Sequence, residues 1–174
     1  MDFIRHVKTE DPYPLKGAAC FGVNHMMYVQ SSKFLEAIDR LDFVMATDIF
    51  DTELCKHADI VLPVSTSFER SEVKCYGGRF VNYTTPVIDP VYDNKDDVWI
   101  MTELAKRMHL GDELLESGYD AGARFILQES GITDWEAVKN SPMPVPAPYA
   151  RPYRMGSFLE NPLPTPTGKI ELYS

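Results

Sequence analysis

The apolar positions of this chain fall first into short unbroken runs and then into spaced stripes. Ala18-Ala19-Cys20-Phe21, Phe43-Val44-Met45-Ala46 and Asp59-Ile60-Val61-Leu62 are runs of strand length, the last stopped by Pro63. Unbroken runs suit strands buried on both faces, as in a parallel sheet with helices on each side. Between the first two, Phe34, Leu35, Ile38 and Leu41 recur at helical spacing behind Ser31 and Ser32, which can cap a helix. Between the second and third, Asp51 or Thr52 can cap a short helix through Glu53, Leu54 and Cys55. Strand, helix, strand, helix, strand predicts a three-layer, doubly wound α/β fold with a mainly parallel sheet.

Around this unit the pattern is looser. Residues 1–16 are mostly polar and end in Asp11-Pro12-Tyr13-Pro14, which predicts an extended lead-in. Residues 65–87 carry a charged stretch (Glu69, Arg70, Glu72), a Gly77-Gly78 turn and a short strand near 79–83. Asp96 and Asp97 are N-cap candidates for a helix whose stripe is Val98, Met101, Leu104, Ala105 and Met108, closed by Gly111. Two smaller helices follow, one from about 120 to 131 and one opening with the capping box Thr133-Asp134-Trp135-Glu136. Eight of the thirteen prolines lie between Pro142 and Pro166, so that stretch is expected to be extended and nearly free of helix and sheet. The expected organisation is a domain over 1–140 and an extended Pro-rich tail over 141–174. Residues 168–173 read as the first strand of a further unit.

Composition narrows the partners. A 44% hydrophobic content over 174 residues is enough for a globular core. The net charge is -9 and no block of Lys or Arg occurs, which argues against nucleic acid and anionic lipid. No apolar run reaches the length of a membrane span, and the N-terminus lacks a signal-peptide profile. Cys20, Cys55 and Cys75 form no CxxC pair, so buried reduced thiols are expected rather than zinc, iron–sulfur or disulfide chemistry. His57 stands two residues after Cys55, a spacing at which helical side chains do not face each other. Neither GxGxxG nor GxxxxGK[ST] nor a Gly-x-Ser-x-Gly elbow is present, and no complete catalytic set is visible.

Parallel sheets bind ligands beyond the carboxyl ends of their strands. Three loops have that position: 22–24, 47–52 and 63–67. Gly22 permits close backbone approach, and Asn24 offers both a donor and an acceptor. Asp48 directly follows a strand, where a carboxylate can meet a ribose or base, and Thr52 stands at a helix start suited to a phosphate. The plainer reading is that Asp51 and Thr52 are caps and Gly22 a turn residue. Spacing leaves both open.

The order of these pieces resembles the molybdopterin oxidoreductases of the dimethyl-sulfoxide-reductase type. The resemblance rests on Phe21-Gly22-Val23-Asn24, on Leu41 through Glu53, and above all on His57-Ala58-Asp59-Ile60-Val61-Leu62-Pro63. Asp97-Val98-Trp99-Ile100 and Thr167-Gly168-Lys169-Ile170-Glu171-Leu172 extend it. It implies the third, Rossmann-like domain of a four-domain enzyme that encloses two molybdopterin guanine dinucleotides around molybdenum or tungsten. By this resemblance Gly22 and Asn24 would approach the cofactor, and Thr47, Asp48, Phe50, Asp51 and Thr52 would line its nucleotide. Pro63 and Ser65 would bracket the phosphates, and Asp97 would touch the guanine or pterin side. Where many relatives carry a Glu-Gly-Thr turn, this chain has Phe68-Glu69-Arg70-Ser71-Glu72, and no cysteine here matches the family's cluster or metal ligands.

Two functions follow. The first is a piece of a molybdopterin-dependent oxidoreductase that holds the nucleotide end of the cofactor and is inactive and cofactor-free alone. Its expected partners are the remaining domains of the parent and an iron–sulfur electron-transfer subunit. The second is a free-standing α/β module for a mononucleotide or a protein partner.

Overall fold

A helix, Asp2–Thr9 (α1), opens the chain where the polar composition predicts an extended lead-in. Ile4 and Val7 lie one turn apart and are both buried, packed with Phe34 of the next helix, so tertiary contact overrides the polar composition. In the computed structural model, which describes residues 2–76, 79–148, 156, 163 and 165–172, the three apolar runs then form one parallel sheet. Its strands are Gly17–Phe21 (β1), Phe43–Asp48 (β2) and Ile60–Pro63 (β3), in that order. Ala46 stands opposite Cys20 on one side and Val61 on the other.

The crossovers are Ser31–Ile38 (α2) and Glu53–Lys56 (α3). Phe34, Ala37 and Ile38 of α2 share a core with Leu54 and Cys55 of α3 and with Val44 and Ala46 of β2. Two right-handed crossovers advancing across a sheet in one direction leave their helices on one face, as seen here. Met45 and Thr47 alternate to the opposite face. There the helix Asp97–Arg107 (α4) begins, with Thr47 Oγ1 donating to Asp97 Oδ1 at 3.0 Å. Two helices therefore cover one face of this α/β unit, and the start of a third reaches the other.

Burial on both faces holds for β2 only. Its residues Val44 to Thr47 are all buried, whereas Ile60 and Val61 of β3 are 46% and 45% exposed. The flanking strands have one full partner strand each, so their apolar side chains are only partly covered. Asp59 secures the start of β3: its N–H donates to Val44 O at 2.8 Å and its carboxylate accepts from Val44 N at 2.7 Å.

The second half is a smaller antiparallel sheet, of which the sequence predicts one strand. Glu72–Tyr76 (β4) pairs with Phe80–Thr84 (β5), and Val145–Pro146 (β6) adds to the other edge of β5. The predicted Gly77-Gly78 turn lies outside the described residues. β6, two residues long, is the piece of sheet that the described residues of the proline stretch contain, in a stretch expected to be nearly free of helix and sheet. Pro146 is tolerated because it sits on an edge, where a missing N–H costs no ladder bond. Val81, Leu127, Trp135 and Val138 make a second core with the helices Tyr119–Glu129 (α6) and Trp135–Asn140 (α7), which follow the short Glu113–Glu116 (α5). Residues 149–155, 157–162 and 164 of the expected tail lie outside the described residues. Described residues 165–172 form no strand where 168–173 predicts one. They close a turn instead, with Gly168 N donating to Thr165 O at 3.0 Å, because no neighbouring strand offers a ladder there.

Caps follow local chemistry where an acid is available. Asp96 accepts from Trp99 N at 2.8 Å, and Asp134 accepts from Ala137 N at 2.9 Å. Ser31 does not cap α2 as expected: it is the first helical residue, and Gln30 precedes it without a side-chain bond.

Ile38 is 1% exposed at the centre of the first core, and Ile126 on α6 is 64% exposed. Ile38→Ala is expected to cost about 2–5 kcal/mol. Ile126→Ala should stay within about 0.5 kcal/mol. Urea unfolding of both variants checks the contrast, which a core placed elsewhere would not produce.

Candidate functional site

The three carboxyl-end loops gather because their strands are adjacent and parallel. After β1, Gly22 has a φ of +56° and donates its N–H to Thr47 O at 3.0 Å. A Cβ there would meet nothing within 4 Å, so glycine answers to the backbone angle and not to crowding. Asn24 then starts a one-turn 3-10 helix, His25–Met27, its Oδ1 accepting from Met26 N at 3.2 Å. His25 is buried against Phe34, ring centroids 6.2 Å apart and nearly parallel.

After β2, Asp48 Oδ1 accepts from Phe50 N at 3.1 Å, a local turn that leaves Phe50 72% exposed. Thr52 is the residue before α3, but its hydroxyl lies 3.3 Å from Cys55 Sγ and does not cap the backbone. After β3, Val64 pairs in parallel with Lys95, and Ser65 N donates to Lys95 O at 3.0 Å. Ser65 Oγ donates to Asn94 Oδ1 at 2.9 Å.

Glu69 ties this irregular region together. Its Oε2 accepts from Thr66 N and Thr66 Oγ1 at 2.7 and 2.8 Å, and its Oε1 from Val91 N and Asn94 Nδ2 at 2.7 and 3.0 Å. The backbone bonds from Val91 and Thr66, with those from Asn94 and the Thr66 hydroxyl, lower its pKa to about 2. A charge run of this kind reads in sequence as a solvated face or a local ion-pair network; Glu69 is instead a buried clamp.

Gly22, Asn24, Asp48, Phe50, Thr52, Ser65 and Asp97 line one cleft of about 670 Å³. Thr47 is buried beneath it, bonded to Asp97. Pro63 opens instead onto an adjoining hollow of about 420 Å³, together with Asp48, Thr66 and Tyr92. Asp51 is exposed and lines neither.

The cleft also holds residues that sequence reasoning passed over, among them His25, Glu53, Thr66, Ser67 and Arg70. Arg70 Nη1 donates to Asp97 Oδ2 at 3.1 Å and Nε donates to Glu72 Oε1 at 3.0 Å. Burial works against its charge, but Glu72 and Asp97 outweigh that and hold the guanidinium above its ordinary pKa. Glu72 alone could have marked it from the sequence; Asp97 stands 27 positions away. Of the three cysteines, Cys20 and Cys55 are buried, while Cys75 is exposed on its hairpin strand against expectation. Among the described residues no group of three His, Cys, Asp or Glu side chains is placed to hold a metal, and no helix is long and apolar enough to cross a membrane.

A parallel sheet with a cleft over its carboxyl ends defines an α/β unit with a concavity in the position where such sheets bind ligands. Known proteins narrow the class to a family. The family model for molybdopterin oxidoreductase matches residues 6–107. A dimethyl sulfoxide/trimethylamine N-oxide reductase of Cereibacter sphaeroides is 32% identical, covering 82% of this chain and 20% of its own length. A trimethylamine-N-oxide reductase of Haemophilus influenzae is also 32% identical, covering 98% of this chain and 24% of its own. The solved acetylene hydratase from Pelobacter acetylenicus is 32% identical with a TM-score of 0.57, over 62% of this chain and 15% of that one. The chain belongs to the molybdopterin oxidoreductase family, whose full enzymes use a molybdopterin cofactor. It spans about a fifth of the length of these curated relatives.

The Glu69 clamp generates a pH dependence. Its pKa is near 2 folded against an ordinary 4.5, so its contribution to stability is complete above about 4.5 and is lost as pH falls towards 2. Thermal melts should show the wild type losing melting temperature across that window. Glu69→Gln should melt several degrees lower at neutral pH and converge on the wild type at the acid end. Parallel curves would mean that Glu69 is no clamp.

Proposed function

We propose that the cleft cradles the nucleotide end of a molybdopterin guanine dinucleotide, within a longer oxidoreductase whose metal centre is built by other domains. The observation that carries this reading is the shared cleft itself. Gly22, Asn24, Asp48, Thr52 and Ser65 span more than forty positions yet line one concavity, and about 670 Å³ lies within the range of nucleotide-sized sites.

The donors and acceptors fit a guanosine diphosphate. Asp48 Oδ2 has no partner among the described residues, so it can accept from guanine N–H groups or a ribose hydroxyl. Asn24 has its Oδ1 engaged and its amide N–H₂ group available to donate. Asp97 has both oxygens committed, to Thr47 and Arg70, so its role in this reading is to hold the cleft wall and not to touch the base. Asp51 lies off the cleft and takes no part. Pro63 bounds the adjoining hollow, on the far side of Asp48. When bound, the molybdenum–pterin group, or its tungsten counterpart, supplies the redox chemistry; this chain binds and orients the nucleotide end.

Relatives with different names, the dimethyl sulfoxide/trimethylamine N-oxide reductases and acetylene hydratase, are alike over this region. That supports assigning it to a shared cofactor, with substrate choice residing elsewhere in the parent. The partners of this reading are the remaining domains of the enzyme and an iron–sulfur electron-transfer subunit. The half-exposed Phe43, Ile60 and Val61 are apolar surface that such domains would cover.

Calorimetric titration with guanosine diphosphate tests the assignment. The chain should bind it weakly, since part of the cofactor's contacts would come from other domains. An Asp48→Ala, Thr52→Ala double variant should bind roughly tenfold or more weakly, the usual effect of losing hydrogen bonds to a charged group and a hydroxyl. Equal affinity of the two proteins would place the nucleotide elsewhere.

A further inference from the structure

The cleft carries more negative than positive charge. Asp48, Glu53 and Asp97 line it, and among the described lining residues Arg70 is the one permanent cation. A diphosphate entering between three carboxylates meets net repulsion unless a cation is held where the phosphates lie. Ser65, Thr66 and Ser67 line the same cleft as Arg70, so cation and hydroxyls face one concavity.

The guanidinium is fixed before any ligand arrives. Nε and Nη2 lie 3.0 and 2.9 Å from Glu72 Oε1, and Nη1 lies 3.1 Å from Asp97 Oδ2. Of the five N–H groups that an arginine carries, these contacts engage three and leave two. Each acid also serves a second partner. Glu72 gives its other oxygen to Lys74 Nζ at 2.6 Å, and Asp97 gives its other oxygen to the Thr47 hydroxyl. The result is an oriented fork with two N–H donors left over, the form in which arginine recognises phosphate.

We propose that Arg70 is the diphosphate-contacting cation of this cleft, with Glu72 and Asp97 as its positioning residues. The proposal rests on the nucleotide reading above and adds a division of labour. Asp48 reads the nucleoside, and Arg70 with the 65–67 loop holds the phosphates. An arginine serving only to join β4 to α4 would make the same contacts with Glu72 and Asp97, yet would not distinguish a phosphorylated ligand from an unphosphorylated one.

The experiment uses the full chain with guanosine diphosphate, guanosine and inorganic pyrophosphate, titrated by calorimetry at two salt concentrations. The wild type should prefer guanosine diphosphate to guanosine, lose that preference as salt rises, and release the nucleotide to pyrophosphate. Arg70→Gln should weaken guanosine diphosphate roughly tenfold or more while guanosine binding stays unchanged. Arg70→Lys keeps the charge without the fork and should fall between them. Circular dichroism melts accompany each variant; should Arg70→Gln not fold, Arg70→Lys and the wild-type salt series decide. Equal binding of guanosine and guanosine diphosphate by the wild type overturns the Arg70 assignment and leaves the nucleoside reading standing. So does a variant that weakens both ligands alike. No binding of any of the three probes overturns both readings.

Discussion

Thr47 sits at the carboxyl end of the central strand with 1% of its surface exposed, and its polar atoms serve two neighbours. Its carbonyl oxygen takes the N–H of Gly22, which turns the first loop over the sheet. Its hydroxyl donates to Asp97, whose second oxygen holds Arg70. Buried polar groups must be paired, so this one residue sets where the loop after β1, the start of α4 and the Arg70 side chain can stand. The cleft is built outward from those bonds. Valine would nearly match the shape of threonine but would leave Asp97 short of a partner beside the sheet.

The stretch after β3 has little regular structure, and its backbone groups still need partners. Glu69 meets that need by accepting from the backbone at Thr66 and Val91 and from the Asn94 side chain. Ser65 adds a bond to the Asn94 side-chain oxygen Oδ1, and Val64 bridges to Lys95. A carboxylate with four donors is held ionised, so a loop that would otherwise wander is fixed against the sheet. Acidic residues in and around this cleft thus divide between structure and surface: Glu69 and Asp97 are largely committed, while Asp48 keeps an oxygen open.

Much of the parallel unit is legible in the sequence. Unbroken runs at 18–21, 43–46 and 59–62 can satisfy their apolar surface only in a covered sheet, and the residues between them have helical spacing. Asp96 and Asp134 announce their helices because capping is a contact within one turn. Adjacency of the strands also predicts that the loops at 22–24, 47–52 and 63–67 gather. The misses differ in cause. The helix Asp2–Thr9 exists because Ile4 and Val7 find Phe34, a partner no local pattern encodes. β4 pairs with its neighbour in sequence, β5, and was hidden instead by its charged residues Glu72 and Lys74.

Residue chemistry and period, which act over a few positions, were enough to determine three parallel strands in one sheet, the glycine turn and the polar character of the three loops. Which side chains of those loops face a common cavity was decided by packing. Asp51 and Asp48 are indistinguishable as carboxylates in sequence, yet the turn held by Asp48 and Phe50 leaves one in the cleft and the other outside. Arg70 reads in sequence as part of a solvated face or a local ion-pair network, and only the fold brings Asp97, 27 positions later, to fix its guanidinium in the cleft lining. Electrostatic contacts depend on distance in space, and only the folded chain supplies that distance.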